Sequence, residues 1–443
     1  LIVGAGSGND VAGALRRGAE RITAVEIDPA IVDMGRRLHP ERPYASSKVR
    51  VVEDDARSYF ATADAKFDLI IFGLLDSHTT TAMTNARLDH YVYTRESLAR
   101  AKSLLKEGGV MVLSFEASKP FIADRMSRCL GEVFGQPPLA FRIPLNPMGW
   151  GGVLFVAGDS DAIENQLTEH PRLARQIEKW QADHPLQLAG TTSVTTDDWP
   201  YIYLERASIP SLYVLLAALM LGLVAYGKRR LQTPWTLSRW KAPQWHFFFL
   251  GAAFLLLEVQ NISKASVVLG NTWVVNAVIV SGILTMILLA NFVAAKGPKL
   301  PPSVVAVGLL GSCFGLYLFD LSSLAFLPFT SKAVLVGVLT TLPMFFSGIL
   351  FVDSFAKVRD KDLALGANLF GALVGGMLQT ITFVIGVKAL LLVVAGLYAA
   401  ALLLKPKRSG DETASGANRN ATDTPTLADD APQNESQPEL ATV

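Results

Sequence analysis

Gly4, Gly6 and Gly8, set at alternate positions and followed by Glu26, are the residues of this chain whose types and spacing first suggest chemistry. An apolar run, Leu1-Ile2-Val3, enters the turn Gly4-Ala5-Gly6-Ser7-Gly8, and Asn9-Asp10 opens a helix. Glycines in such a turn let backbone N–H groups approach a ligand closely. The acid closing the next strand, in Val25-Glu26-Ile27-Asp28, is placed to accept hydrogen bonds from the two hydroxyls of a ribose. The pattern reads as a site for a nucleoside-bearing cofactor. Asp76, Ser77 and His78 follow another apolar run, Phe67 to Phe72, and so fall at the carboxyl end of a strand beside that site. Either Asp76 or His78 could serve as a base there; the alternative is that they cap or bridge the loop running to Tyr91. Asp89, His90, Tyr91 and Tyr93 form a second polar and aromatic cluster, suited to the lip of the cleft or to a surface loop.

The elements that must position these residues alternate between two periodicities. Strands are expected at Leu1 to Gly4, Ile22 to Ile27, Val49 to Val52, Phe67 to Phe72, Val110 to Phe115 and Gly152 to Val156. Helices are expected at Asp10 to Arg17, Ala30 to Leu38, Ala56 to Thr62 and Thr94 to Lys106, the last capped by Thr94 and stopped by Gly108-Gly109. This alternation is the mark of βαβ units and an α/β doubly wound parallel sheet, Rossmann-like in outline. The strands lack polar alternation, so helices should cover both faces. One further polar helix is expected from Ile163 to Trp180, and the Gly/Thr/Ser/Asp stretch from Gly190 to Pro200 reads as a boundary.

Bulk composition narrows the class. The chain has 443 residues, more than one core usually serves, with 50% hydrophobic and 18% charged residues. That is too apolar for an ordinary soluble protein. A net charge of +1 gives no basic face for nucleic acid, and two cysteines far apart, Cys129 and Cys313, form neither a disulfide framework nor a metal site. No signal peptide opens the sequence, and a start inside a strand without Met is expected of a fragment lacking its N-terminal part.

From Ile209 the composition turns apolar. Segments at 209–227, 245–263, 272–295, 303–327, 333–353, 363–384 and 387–404 approach the ~20 residues that a helix needs to cross the hydrocarbon. Seven spans are expected, or six if the last two are one long tilted helix. The expected division is a cofactor domain at 1–157, a helical extension and linker at 158–208, an all-α transmembrane bundle at 209–404 and a disordered tail at 405–443. From Ser409 the tail has no aromatic residue and seven acids against the single base Arg419. Lysines and arginines concentrate in alternate loops, as in a multi-pass protein of the cell (inner) membrane. With seven spans that bias places residues 1–208 outside, whereas a cofactor made in the cytosol favours the cytoplasmic side. Within the apolar region, Glu258 and Asn261 lie one helical step apart beside Gln260. An ionisable residue at that depth reads as a proton or cation site, or as a neutral Glu hydrogen-bonded to a neighbouring helix. Asn368, Gly371, Gly375 and Gln379 make one stripe whose Gly-x-x-x-Gly spacing suits close helix packing.

Four further stretches extend the pattern around the glycine turn: Glu26, Val52-Glu53-Asp54-Asp55-Ala56, Phe67-Asp68-Leu69-Ile70-Ile71, and Leu104-Leu105-Lys106-Glu107-Gly108-Gly109-Val110. With them, residues 1–157 resemble the class I S-adenosylmethionine-binding fold and, within it, the spermidine synthase-like branch. An NAD-type Rossmann domain using the same Glu26 is the alternative. The resemblance implies S-adenosylmethionine or its decarboxylated form as cofactor, held by Gly4, Gly6, Ser7, Gly8, Glu26, Asp55 and Ala56. Asp55 would bond the adenine amino group, with Ala56 beside the ring. Spermidine synthases carry an Asp in the turn and two acids after strand four; here Ser7 and Gly73 stand at two of those places and only Asp76 remains. Adding Thr196-Asp197-Asp198-Trp199-Pro200-Tyr201 and the segment Leu250 to Gln260, most of the chain is similar to bacterial proteins that fuse a spermidine synthase-like domain to multi-pass membrane helices. Trp199, Tyr201 and Tyr203 suit an interfacial aromatic belt. The implied function is transfer of an aminopropyl or methyl group to a small acceptor, a polyamine or an amphiphile, in contact with the bilayer and without nucleic acid. The alternative is a non-catalytic sensor or transporter whose cofactor domain regulates the helices.

Overall fold

The computed structural model describes residues 1–75, 90–144, 151–230, 240–270, 273–296 and 300–406. Its first part is a seven-stranded sheet of β1 (Ile2–Val3), β2 (Ile22–Glu26), β3 (Val49–Glu53), β4 (Phe67–Phe72), β5 (Leu105–Phe115), β6 (Leu139–Ile143) and β7 (Gly152–Ala157). The spatial order is β3-β2-β1-β4-β5-β7-β6. The first five strands pair in parallel, while β7 runs antiparallel to both β5 and β6, so the sheet is mixed. The chain direction across the sheet reverses at β1, which lies between β2 and β4. A ligand crevice therefore opens at the carboxyl ends of β1 and β4.

Successive strand residues serve opposite faces. Ile2 and Ala24 join one buried cluster under α1 (Asn9–Arg16) and α2 (Pro29–Leu38), whereas Val3 and Val25 join the other. That second cluster packs against α3 (Ala56–Thr62), α4 (Arg95–Lys102) and α5 (Pro120–Phe134). This is the period-2 alternation of a sheet covered on both sides. Caps fix where the helices start: Asp28 accepts from Ala30 N, Asp55 from Arg57 N and Ser58 N, and Thr94 from Ser97 N.

Several elements depart from the sequence expectation. Helix α4 ends at Lys102, and Leu105 already pairs with Phe67 in β5; Gly108 and Gly109 lie inside that strand near a register shift, not at a helix stop. α5 and β6 are additional, with Ile122, Met126, Cys129 and Leu130 forming the buried stripe of α5. The polar helix divides into α6 (Ser160–Glu169) and α7 (Pro171–Asp183), because Pro171 cannot continue the first and suits the start of the second.

The Gly190 to Pro200 stretch is strapped down. Asp124 accepts from the N–H groups of Gly190, Thr191 and Thr192 at 2.6, 3.2 and 2.9 Å. Fully buried Arg125 donates to the carbonyls of Ser193, Tyr201, Ile202 and Glu205, and burial lowers its pKa to about 10. Arg57 of α3 forks onto Asp197 while also donating to Thr94 Oγ1 at 2.9 Å.

Beyond it come α8 (Ser211–Arg230), α9 (Ala242–Leu269), α10 (Trp273–Lys296), α11 (Pro302–Leu318), α12 (Phe329–Phe355), α13 (Lys361–Leu378), the short α14 (Thr382–Ile385) and α15 (Leu390–Leu403). Four stretches among the described residues, Ala242–Leu269, Trp273–Lys296, Phe329–Phe355 and Lys361–Ile385, are long and apolar enough to cross a membrane; three further apolar helices are shorter. α9 is the hub, packing on α10, α12, α13 and α15. Trp199, Tyr201 and Tyr203 do not form a free aromatic belt. Trp199 Nε1 donates to Phe383 O at 2.8 Å, Tyr201 OH donates to Thr382 Oγ1 at 2.6 Å, and Tyr203 lies against His90 and Phe115. Asp198 continues this seam by accepting from Lys388 N, and its carbonyl accepts from Val387 N.

On α13, a Cβ added at Gly371 or Gly375 would stand 1.9 Å from Phe248 O or 2.3 Å from Ala252 O of α9. Small residues are what allow these two helices to touch along their backbones. Gly371→Ala should therefore destabilise the detergent-solubilised chain by about 1–3 kcal/mol, read as a lower thermal midpoint. Gly396→Ala on α15, where an added Cβ meets nothing within 4 Å, should not lower it. Equal midpoints for the two variants would mean that α9 and α13 are not held this closely.

Candidate functional site

The carboxyl end of β1 continues into the turn with Gly4, Gly6 and Gly8 at φ of 69°, 56° and 103°, a left-handed path that side chains resist. Gly4 N and Ala5 N both donate to Val25 O, at 2.9 and 3.1 Å. Glu26 completes the link between β1 and β2: its Oε2 accepts from Gly6 N at 2.8 Å, and its Oε1 from Ile27 N and Asp28 N at 2.9 and 3.1 Å. A carboxylate has about four acceptor positions, so backbone amides use most of this one. Tyr44 pins the turn from outside, its hydroxyl donating to Ala5 O and Gly6 O at 3.1 and 2.7 Å; burial and the nearby Glu26 raise its pKa to about 12.

A cavity of about 490 Å³ opens beside this turn. Its walls include Gly6, Ser7, Asp10, Gly73, Ser114 and Gly152, so it follows the crevice from β1 across β4 and β5 to the β6–β7 hairpin. That volume is in the ordinary range for small-molecule sites. Another cavity, of about 610 Å³, lies around Ile2, Ile22 and Phe67 at the amino ends of the strands, away from the end where this topology binds ligands.

Asp10, in the first turn of α1, reaches across the crevice toward β4. A Cβ added to Gly73 would lie 3.1 Å from Asp10 Oδ2 and 3.0 Å from Gly4 O. The residue keeps an exposed edge, yet the walls around its carboxyl raise its pKa by desolvation. Leu75 folds back over the turn, so that a Cβ on Gly4 would stand 1.7 Å from its Cδ2.

Comparison with known proteins decides the family of this domain. Residues 1–160 match the profile of the spermine/spermidine synthase domain. They are a spermidine synthase-like domain. A polyamine aminopropyltransferase of Korarchaeum cryptofilum is 25% identical over 145 residues, covering 32% of this chain and 43% of that protein. One of Mycobacterium tuberculosis is 34% identical over 128 residues, 27% of this chain and 23% of that protein. The crystal structure of spermidine synthase from Thermotoga maritima aligns at 21% identity and a TM-score of 0.31, over 37% of this chain and 54% of that one. The chain thus spans less than half of these two curated relatives. The helical region that follows makes it a fusion of the synthase-like domain to apolar helices.

Within the synthase-like domain, the structure brings Gly4, Gly6 and Ser7 into one cavity wall and ties Glu26 to it through Gly6 N, while Gly8 faces Pro43 and Tyr44 instead. Asp55 and Ala56, 4% and 8% exposed, stand at the end of β3, outside the walls of that cavity. Asp76 and His78 lie outside the described residues, as does Asp89. His90, Tyr91 and Tyr93 are core residues and not the lip of the cleft, at 4%, 3% and 0% exposed. Among the apolar helices, Asn261 is fully buried and donates to Thr340 O of α12 at 2.7 Å. Glu258 is half-buried on the same helix and makes no hydrogen bond or ion pair among the described residues. The domain's Asp10 and Tyr44 are the functional candidates that the sequence pattern did not disclose. An acid in a first helical turn reads as an ordinary complement to the helix dipole, and Tyr44 sits in an unremarked Arg-Pro-Tyr turn.

Removing the Tyr44 hydroxyl leaves the carbonyls of Ala5 and Gly6 without that donor. Tyr44→Phe should cost about 1–3 kcal/mol and should raise amide hydrogen exchange selectively over residues 4–8. Unchanged protection in that segment would show that the turn holds its shape without the latch.

Proposed function

We propose that this protein is a membrane-embedded transferase that moves an aminopropyl group from decarboxylated S-adenosylmethionine to a polyamine or an amphiphilic amine. The observation that carries the reading is the Asp10 carboxylate facing Gly73 in the crevice of a spermidine synthase-like domain. The residues present fit such a donor. Gly6, where an added Cβ would meet nothing closer than 3.9 Å, leaves the turn open to it, Glu26 retains an acceptor position for a ribose hydroxyl, and Asp55 and Ala56 stand at the strand end that would meet the base. When bound, the donor supplies a carbon activated by the adjacent sulfonium, which an amine can displace in line. The same turn, Glu26, Asp55 and Ala56 would hold S-adenosylmethionine for methyl transfer. The acid in the crevice favours an amine acceptor, because an ammonium is both attracted by a carboxylate and made nucleophilic by losing a proton to it.

Asp10 has two tasks in this reading. Ionised, it draws the cationic acceptor into the cavity; during reaction it takes the proton that the amine must release, a role that typically contributes 10²- to 10⁴-fold. Desolvation places its pKa above the usual aspartate range, a shift toward neutrality that makes it a better base. The turn, pinned by Glu26 and Tyr44, fixes where donor and acceptor meet, which is the main service that a displacement at carbon requires of a protein.

The four long apolar helices support a bilayer location, in the cell membrane with several spans. We place the synthase-like domain on the cytoplasmic face, where a nucleoside sulfonium is made. Protease added to inverted membrane vesicles should then cut within residues 1–208, while right-side-out vesicles protect them; the opposite pattern overturns this sidedness.

Isothermal titration of the purified full chain should show binding of decarboxylated S-adenosylmethionine, and an amine-transfer assay should show turnover. Asp10→Asn should lower kcat by 10²- to 10⁴-fold with little loss of donor affinity. Because a base must be deprotonated, activity of the unmodified chain should fall as pH drops through the raised Asp10 pKa, and that acid limb should vanish in Asp10→Asn. Retained kcat in the variant sinks Asp10 as the base; methyl transfer alone would replace the aminopropyl reading.

A further inference from the structure

The apolar helices touch the synthase-like domain at the end of β3, where the base of a nucleoside is expected. Lys332, in the first turn of α12, is 2% exposed, and its Nζ donates to Ser58 Oγ at 3.2 Å. Ser58 belongs to the first turn of α3, whose cap Asp55 accepts from Arg57 N and Ser58 N at 2.9 and 3.1 Å. Asp54 precedes it, its carboxyl pushed up by burial and by Asp55, with the Lys332 ammonium pulling the other way. From a second helix, Gly270 at the end of α9 rests against the same acid. Its φ is +85°, and a Cβ there would stand 2.8 Å from Asp55 Cβ.

Two adjacent carboxyls in a poorly solvated corner repel one another, and a buried ammonium with no counter-charge is costly too. The Lys332 ammonium attracts both carboxyls, while its hydrogen bond goes to Ser58 Oγ. What is unusual is the source of the cation: the domain that owns the carboxyls does not supply it, and a helix 274 residues further along the chain does. The first turn of α3 therefore takes part of its electrostatic setting from α12.

We propose that Lys332 is a positioning residue for the base-binding end of the site, so that docking of α12 sets how tightly and how selectively the domain holds a purine. This rests on the nucleoside-donor reading above. Lys332, through Ser58, holds the α3 cap in place and so keeps Asp55 fixed as the acceptor for an exocyclic amino group. Without it, the acceptor loses its fixed position, and an amino-bearing base loses its advantage over a 6-oxo base.

The test is titration of the full chain in detergent or nanodiscs with S-adenosylhomocysteine and with its deaminated counterpart, S-inosylhomocysteine. Lys332→Met should weaken the adenosyl ligand about tenfold and shrink its advantage over the inosyl ligand, and Lys332→Arg should restore most of both. Were Lys332→Met not to fold, Ser58→Ala should show the same loss of discrimination in smaller degree. Unchanged affinity and discrimination in Lys332→Met, or in Ser58→Ala where that variant stands in, overturn the role of Lys332 and leave the nucleoside reading intact. Failure of the unmodified chain to bind S-adenosylhomocysteine overturns that reading itself.

Discussion

The Glu26 carboxylate accepting from Gly6 N is the interaction on which the site depends. It joins the end of β2 to a turn that would otherwise be three left-handed glycines with no side chains to hold them. Glycines make the turn permissive, which a ligand needs, and also floppy, which catalysis cannot tolerate. Glu26 resolves that conflict from the inside, and Tyr44 from the outside, by taking up the turn's amide on one flank and its carbonyls on the other. Neither contact fills the cavity, so order is obtained without closing the space where a substrate must fit.

The same logic governs the junction with the apolar helices. A linker rich in Gly, Thr and Ser costs entropy to fix, and here its amides and carbonyls are met by one buried acid and one buried base in succession, Asp124 and Arg125 of α5. Asp197, Asp198, Trp199 and Tyr201 then carry the ordered segment onto α3 on one side and onto the α14–α15 corner on the other. A domain tethered at both α3 and this corner is not free to swing from the helices that follow it. That rigidity is what gives a residue such as Lys332 a defined place.

What could be read from the sequence was local. Alternate glycines, an acid at the next strand end, capping residues and apolar runs each report on neighbours a few positions away, and so the sheet, most of its helices and the glycine turn after β1 were legible. Relations between distant segments were not. Nothing near Asp10 says that its carboxyl will face Gly73, since that depends on how α1 leaves the turn beside β4. Polar linker composition implied a loose boundary, because the partners of its backbone groups lie more than sixty residues earlier, on α5. His90, Tyr91 and Tyr93 looked like a wet rim, whereas all three are buried, His90 and Tyr93 through edge and tilted ring contacts with Tyr203, Phe72 and Phe115.

Gly73 and Asp10 are best understood as one exchange. For an acid at position 73, its Cβ would crowd Gly4 O and the Asp10 carboxylate together. Two carboxylates that close would also raise each other's pKa, leaving one of them protonated and useless as a base. An acid in the first turn of α1 avoids both effects: the helix fixes its backbone, and the absence of a side chain at 73 leaves room for the carboxylate to reach in. The helix N-terminus by itself favours the ionised form, so a raised pKa at Asp10 means that desolvation by the crevice walls outweighs the dipole. For the proposed transfer to an amine, a carboxylate held at a helix start and made more basic by its surroundings is the kind of base required.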